Sequence, residues 1–129
     1  MLPRYLSQVK KLVKDKMLKS IGNNNKIEEA MAYSALADSK MIRAGLVFAS
    51  SETNKNIAKE SIITLSSAVE LMHTYSLIHD DLPCMDDDDY RRGRLSTHKK
   101  YDEAQAILAG NSLLTMGFNL LSQDSNPAL

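Results

Sequence analysis

The sequence predicts an all-α fold, a helical bundle, from three observations. Pro3, Pro83 and Pro127 are its only prolines, so the 79 residues from Arg4 to Leu82 contain none. Glycine is equally sparse there, with Gly22 and Gly45 alone, and the turn clusters that strands need every few residues are missing. Apolar residues recur at helical rather than alternating spacing along most of the chain.

The first predicted helix runs from about Arg4 to Ser20. Leu2, Tyr5, Leu6, Val9, Leu12, Val13 and Met17 fall on one face, with lysines on the other. A basic amphipathic helix of this kind either packs on the rest of the domain, the favoured reading, or lies on a membrane surface. Gly22 followed by Asn23, Asn24 and Asn25 is a stop and turn. A second helix starts near Lys26 and continues towards Phe48, with a break or bend at Asp38-Ser39 or Gly45. The polar segment Ser50 to Lys55 reads as a loop. A third helix, roughly Lys59 to Leu82, places Ile62, Leu65, Val69 and Met72 on one stripe, and Pro83 ends it.

The last helix runs from about Asp102 to Leu121. Apolar residues (Ile107, Leu108, Leu113, Leu114, Phe118, Leu120, Leu121) wrap much of its circumference, which predicts a buried helix. Ala106, Ala109, Gly110, Ser112 and Gly117 leave room for close helix approach. Ser122 to Leu129 reads as a loop.

The 129 residues suit one domain covering 1–129. Sixteen basic and 16 acidic residues give a formal net charge of zero, which argues against a nucleic-acid binder held by bulk electrostatics. The single cysteine, Cys84, excludes a disulfide framework and fits a reducing cytoplasm, the expected location. No run of about 18 apolar residues is present, so no membrane span is expected. Met1 to Lys19 carries six basic residues without a following apolar segment, so it is not a secretory signal.

The neutral average hides an asymmetry: six of the 16 acids lie between Asp80 and Asp89, and three arginines follow by Arg94. Asp80 and Asp81 sit at a predicted helix C-terminus, where the macrodipole disfavours anions by about 0.3–1 kcal/mol each. An arbitrary acidic run is usually a solvated loop. Here the acids begin inside an apolar helix and Arg91-Arg92 follow directly. Hard divalent ions such as Mg²⁺ take carboxylate oxygens and leave positions for phosphate, and arginines bind phosphate. The combination points to a Mg²⁺–diphosphate site. His73, two helical turns before Asp80, shares its face, whereas His79 points about 100° away. Lys40 and Arg43, three apart, would share a helix face and could clamp one anion, although such a pair is more often a solvated face.

The stretch from His73 through His79-Asp80-Asp81-Leu82-Pro83-Cys84-Met85-Asp86-Asp87-Asp88-Asp89-Tyr90-Arg91-Arg92-Gly93 closely resembles the first aspartate-rich region of the trans-prenyltransferases. These are the isoprenyl diphosphate synthases (the polyprenyl synthetase family), and the likeness is greatest to the bacterial farnesyl diphosphate synthase, or geranyltranstransferase, type. Ala106-Ile107-Leu108-Ala109-Gly110-Asn111 is similar to the family's AILAGD helix, with Asn111 for the aspartate. The resemblance implies an isoprenoid synthase bundle of helices around a deep cavity. It implies an enzyme that joins isopentenyl diphosphate to an allylic diphosphate, dimethylallyl or geranyl, to give a short-chain product such as farnesyl diphosphate.

By position, the resemblance makes Asp80 and Asp86 ligands of Mg²⁺, with Asp81 supporting them, and puts Arg91 on the allylic diphosphate. Lys40, Arg43, His73 and Arg92 would hold the diphosphate of isopentenyl diphosphate. Tyr75 and Ser76 would line the cavity, Tyr75 limiting product length. A homodimer is expected. Where the family reads GGKRLRP, this chain has Asp38-Ser39-Lys40-Met41-Ile42-Arg43-Ala44, keeping the lysine and the second arginine.

Family members are roughly twice this length, and their second aspartate-rich motif has no counterpart here. The chain is therefore expected to correspond to the N-terminal half of such an enzyme and not to turn over efficiently alone. The alternative is a catalytically incomplete helical partner of a full-length synthase. A non-catalytic acidic helical protein that binds Ca²⁺ or Mg²⁺ is disfavoured, because the alternating acids and central glycine of an EF-hand loop are missing.

Overall fold

A computed structural model describes residues 2–124, except for the side chain of Leu2. The elements are α1 (Leu2–Ile21), α2 (Lys26–Ala35), α3 (Ile42–Ser51), α4 (Lys59–Asp80), β1 (Tyr90–Arg91), β2 (Arg94–Leu95), α5 (Thr97–Lys100) and α6 (Glu103–Gln123). The predicted all-α class holds, with one two-residue-per-strand hairpin added. Among the described residues, no helix is long and apolar enough to cross a membrane.

Helix α4 is the axis. It packs most extensively on α6, and also against α3 and α1. Val9, Val13 and Met17 of α1 are buried, as the periodicity predicts, Ile21 is buried with them, and Gly22 stops the helix at φ +81°. Asn25 caps α2: its side chain accepts from the Glu28 amide at 2.9 Å, and the Glu28 carboxylate accepts in return from the Asn24 amide.

One expectation is narrowed, the break in the second helix falling at the first of its two expected places, and three others are corrected. The predicted second helix is two helices, because the chain leaves helical geometry after Ala35 and re-enters at Ile42, with Met41 left-handed at φ 49°. The break includes Asp38-Ser39. Gly45 lies inside α3 instead, where an added Cβ would sit 2.8 Å from Leu6 Cδ2, so it permits the α1–α3 contact.

The apolar stripe of α4 is only half-buried. The buried face carries small and polar residues such as Ser66, Ser67, Ala68 and Glu70 together with Leu71, since α1 and α6 approach closely there.

Helix α6 is not buried all round. Leu113 and Leu120 are buried, but Ile107, Leu108 and Phe118 are 42%, 50% and 60% exposed, because no described element covers that face. Finally, α6 continues through Gln123, so Ser122 and Gln123 are helical; residues 125–129 of the predicted loop lie outside the described residues.

Candidate functional site

The acidic run folds back onto the end of α4. Backbone carbonyls of a last helical turn lack intrahelical donors, and here the loop amides supply them. The Asp86 amide donates to Asp80 O at 2.8 Å, Asp88 to Asp81 O at 3.0 Å, and Met85 and Asp87 to Leu82 O at 2.9 and 3.0 Å. Negative charge is thereby concentrated where the helix dipole is already negative. Asp80 is half-buried and Asp86 exposed, and neither carboxylate forms a hydrogen bond or ion pair with a described residue. Two uncommitted hard-oxygen donors held at one helix end fit a Mg²⁺-type cation.

Asp81 is different. Its side chain is 2% exposed and receives two bonds from Arg91, with Nε to Oδ2 and Nη2 to Oδ1 each at 2.8 Å. The Asp81 hydrogen bond is the main reason that the Arg91 guanidinium is held above its ordinary pKa. A second acidic grouping lies further along, where ligating atoms of Asp87, Asp89 and His98 are all within 4.8 Å of one another. His98 is buried, with Nδ1 3.3 Å from the Ser96 hydroxyl, and Asp89 also pairs with Lys99 at 3.5 Å.

The arginines are placed by the hairpin, which sequence reasoning missed because each strand is too short for an alternation signal. Tyr90 pairs with Leu95 and Arg91 with Arg94, leaving Arg92-Gly93 as the two-residue loop. Both have positive φ, 54° and 76°, as a type I′ turn requires. The hairpin is fixed from outside. The Tyr33 hydroxyl donates to Leu95 O at 2.7 Å, Arg94 Cζ lies 4.0 Å above the Tyr33 ring, and the Ser96 amide donates to Asp89 O at 2.8 Å.

Lys40, Arg43, His73 and Arg92 line one cleft of about 440 Å³, together with Lys10 and Glu70. They come from the α2–α3 connector, α3, α4 and the hairpin turn. The expected shared helix face of Lys40 and Arg43 is corrected, because Lys40 precedes α3 and the left-handed Met41 separates the two. They converge on the cleft by the bend instead. Buried Glu70 accepts the Ala44 amide, an otherwise uncapped first-turn donor of α3, at 3.0 Å. Burial holds the His73 imidazole below its ordinary pKa, followed in importance by the charges of Arg43, Arg92 and Arg91. Arg92 is also lowered, first by burial and then by Arg91.

Helical spacing puts Ile62, Val69, His73, Ser76 and Asp80 on one half-open face of α4. Ile62 and Val69 make the far part of this face apolar, and His73 and Ser76 lie between them and Asp80. Ser76 donates to His73 O at 2.6 Å. Tyr75 stands off this face, edge-on to His79 with centroids 5.5 Å apart, and His79 Nε2 lies 3.1 Å from Ile107 O on α6.

Carboxylates without protein partners thus lie at the end of α4, and a cation-lined cleft that includes His73 opens on its half-open face. Comparisons with known proteins give the family. The polyprenyl synthetase family model matches residues 24–129. The farnesyl diphosphate synthase of Buchnera aphidicola (subsp. Schizaphis graminum) is 52% identical over 101 residues, which are 78% of this chain and 34% of that protein. The farnesyl diphosphate synthase of Bacillus subtilis is 40% identical over 124 residues, 94% of this chain and 42% of that protein. Among solved structures, an FPP/GFPP synthase from Zymomonas mobilis superposes with a TM-score of 0.91 at 34% identity, covering 98% of this chain and 48% of the other. Geranyltranstransferase from Thermotoga maritima gives 0.86 at 39% identity, covering 92% and 45%. The chain thus spans between about a third and a half of the length of these relatives. With its motif, its helical fold and its sequence in agreement, the chain belongs to the polyprenyl synthetase family.

Proposed function

We propose that this chain carries the diphosphate-binding half of a short-chain trans-prenyltransferase, which condenses isopentenyl diphosphate with an allylic diphosphate. The carrying observation is the convergence of Lys40, Arg43, His73 and Arg92 from four separate segments on one cleft. In this reading they bind the diphosphate of isopentenyl diphosphate. Asp80 and Asp86 hold Mg²⁺, and Asp81 supports them by fixing Arg91, which takes the allylic diphosphate. Bound there, Mg²⁺ supplies positive charge that stabilises the departing diphosphate. Arg91 would add hydrogen-bond donors to the departing diphosphate, and the half-open face of α4 would exclude water from the hydrocarbon once a second layer covers it. The cleft cations fix the orientation of the attacking alkene.

The activity belongs to an assembly larger than these 129 residues. Ile42, Leu46, Ile107, Leu108 and Phe118 are all at least 40% exposed, a large apolar surface for one small domain. Part of it, on α6, supports the homodimer that the family resemblance implies. The rest supports a second helical layer over α3 and α4, supplied by a longer chain or by a full-length partner. A cytoplasmic location completes the reading and accords with a lone, unpaired Cys84.

Calorimetry tests the proposal. The chain should bind a non-ionisable allylic diphosphate analogue only with Mg²⁺ present, and Asp80→Ala should abolish that binding. Mg²⁺-independent binding that survives Asp80→Ala would show that Asp80 does not recruit the diphosphate through a metal. Efficient synthesis of farnesyl or geranyl diphosphate by the purified 129-residue chain would refute the need for a second layer.

A further inference from the structure

We propose that Lys10 is an additional anion-binding residue of the diphosphate cleft, and that Asp38 is its resident counter-anion, displaced when a diphosphate enters. The inference rests on the diphosphate reading of the cleft and adds two residues to it. Lys10 is remote in sequence and belongs to α1, whose lysines read from periodicity as a solvated face. The fold brings it in. Leu6 packs at Gly45 of α3, where even a Cβ would come within 2.8 Å of its Cδ2. One turn later, on the same face of α1, Lys10 lines the cleft with Lys40, Arg43, His73 and Arg92. Lys10 and Lys40 also share the adjoining depression beside Pro3 and Ser7.

Lys10 Nζ lies 3.6 Å from Asp38 Oδ1, and the two side chains are unequally held. That of Lys10 is 30% exposed and that of Asp38 is 97% exposed. The lysine is therefore seated in the cleft wall while the carboxylate reaches it from solvent, a weak pairing in high dielectric. The other carboxylate lining the cleft, Glu70, is buried and committed to the Ala44 amide at 3.0 Å, so it cannot move aside. Asp38 can. A diphosphate offers more charge and more acceptor oxygens than one carboxylate, so it takes Lys10 and expels Asp38.

The test is titration of the full 129-residue chain with inorganic pyrophosphate and with isopentenyl diphosphate, without Mg²⁺, for wild type, Lys10→Gln, Asp38→Asn and the double variant. Lys10→Gln should weaken binding about five- to tenfold, and Asp38→Asn should tighten it about two- to fivefold, the range expected for a single charge-assisted hydrogen bond. The gain from Asp38→Asn should shrink at least about twofold in the Lys10→Gln background, because the two act through each other. Arg43→Gln is the control for the cleft itself. If Arg43→Gln abolishes binding while Lys10→Gln stays within twofold of wild type, the cleft reading stands and the role of Lys10 is overturned. If Asp38→Asn binds no tighter, the counter-anion is overturned. If Arg43→Gln changes nothing, the diphosphate reading fails, and this inference with it. Far-UV circular dichroism confirms the fold of each variant, and Lys10→Arg, which keeps the charge, should restore binding where Lys10→Gln loses it.

Discussion

Asp81 and Arg91 are joined by two parallel 2.8 Å bonds, with the carboxylate 2% exposed and the guanidinium side chain 34% exposed. The pair ties the end of α4 to the hairpin, so the helix that carries Asp80 and the strand that carries the arginine move as one body. The asymmetry in burial sets a prediction. Arg91→Ala leaves a buried carboxylate unpaired and should cost about 3 kcal/mol, whereas Asp81→Asn leaves a guanidinium that can turn to water and should cost about 1–2 kcal/mol. Urea denaturation of the two variants gives the order directly, and equal losses would mean that the burial difference is unimportant.

The His73 imidazole is held below its ordinary value by burial, then by Arg43, Arg92 and Arg91. A histidine lowered in the folded state takes up its proton first in the unfolded chain. Its destabilising effect is therefore absent above the unfolded value of about 6.5, grows as pH falls from there to the folded value, and is level below it. Wild type should lose more stability than His73→Gln between pH 7.5 and 5. Isopentenyl diphosphate should also gain affinity on acidification more in wild type than in His73→Gln, since a bound anion raises the imidazole pKa. Parallel titration curves for the two proteins would exclude His73 from both effects.

The helices and the acidic site are legible in the sequence because each leaves a local signal. Periodicity locates α1, α4 and α6, Gly22 marks the end of α1 and Pro83 follows shortly after that of α4, and the aspartates and arginines are close together in the chain. What is not legible depends on distant contacts. The bend that separates Lys40 from Arg43 needs a left-handed Met41, a state costly for any residue with a Cβ and with no sequence signature. Lys10 reaches the cleft only because Leu6 meets Gly45. His98 joins Asp87 and Asp89 through a hairpin too short to show alternation. The stripe of Ile62, Leu65, Val69 and Met72 is a real face that reads as core, because periodicity gives a face and not what covers it.

Gly110 marks a tight approach of α6 to α4. A Cβ there would overlap the His79 ring, whose Nε2 is 3.1 Å from Ile107 O. Gly110→Ala should cost about 1–3 kcal/mol through overpacking. His79→Ala alone should cost about 1 kcal/mol for its lost hydrogen bond. The double variant should be more stable than Gly110→Ala alone, because removing the ring removes the clash. Thermal melts of all three decide it, and simple additivity would place the cost of the alanine elsewhere.

Glu70 links the core to the cleft. The residue is 5% exposed, and its carboxylate accepts the Ala44 amide at 3.0 Å, in the first turn of α3 that also carries Arg43. No side chain caps α3 locally, so this long-range acceptor takes the place of an N-cap. Glu70→Gln keeps an amide oxygen in reach and should lose under about 1 kcal/mol, whereas Glu70→Ala leaves the donor unpaired and should lose about 1–3 kcal/mol. Because Arg43 is one residue from Ala44, Glu70→Ala should also weaken pyrophosphate binding, even though it removes a negative charge from a cation-lined cleft. Electrostatics alone predicts the opposite sign. Pyrophosphate titration therefore separates the two: tighter binding by Glu70→Ala would show that its charge matters more than its grip on α3, and weaker binding that the cleft depends on the placement of that first turn.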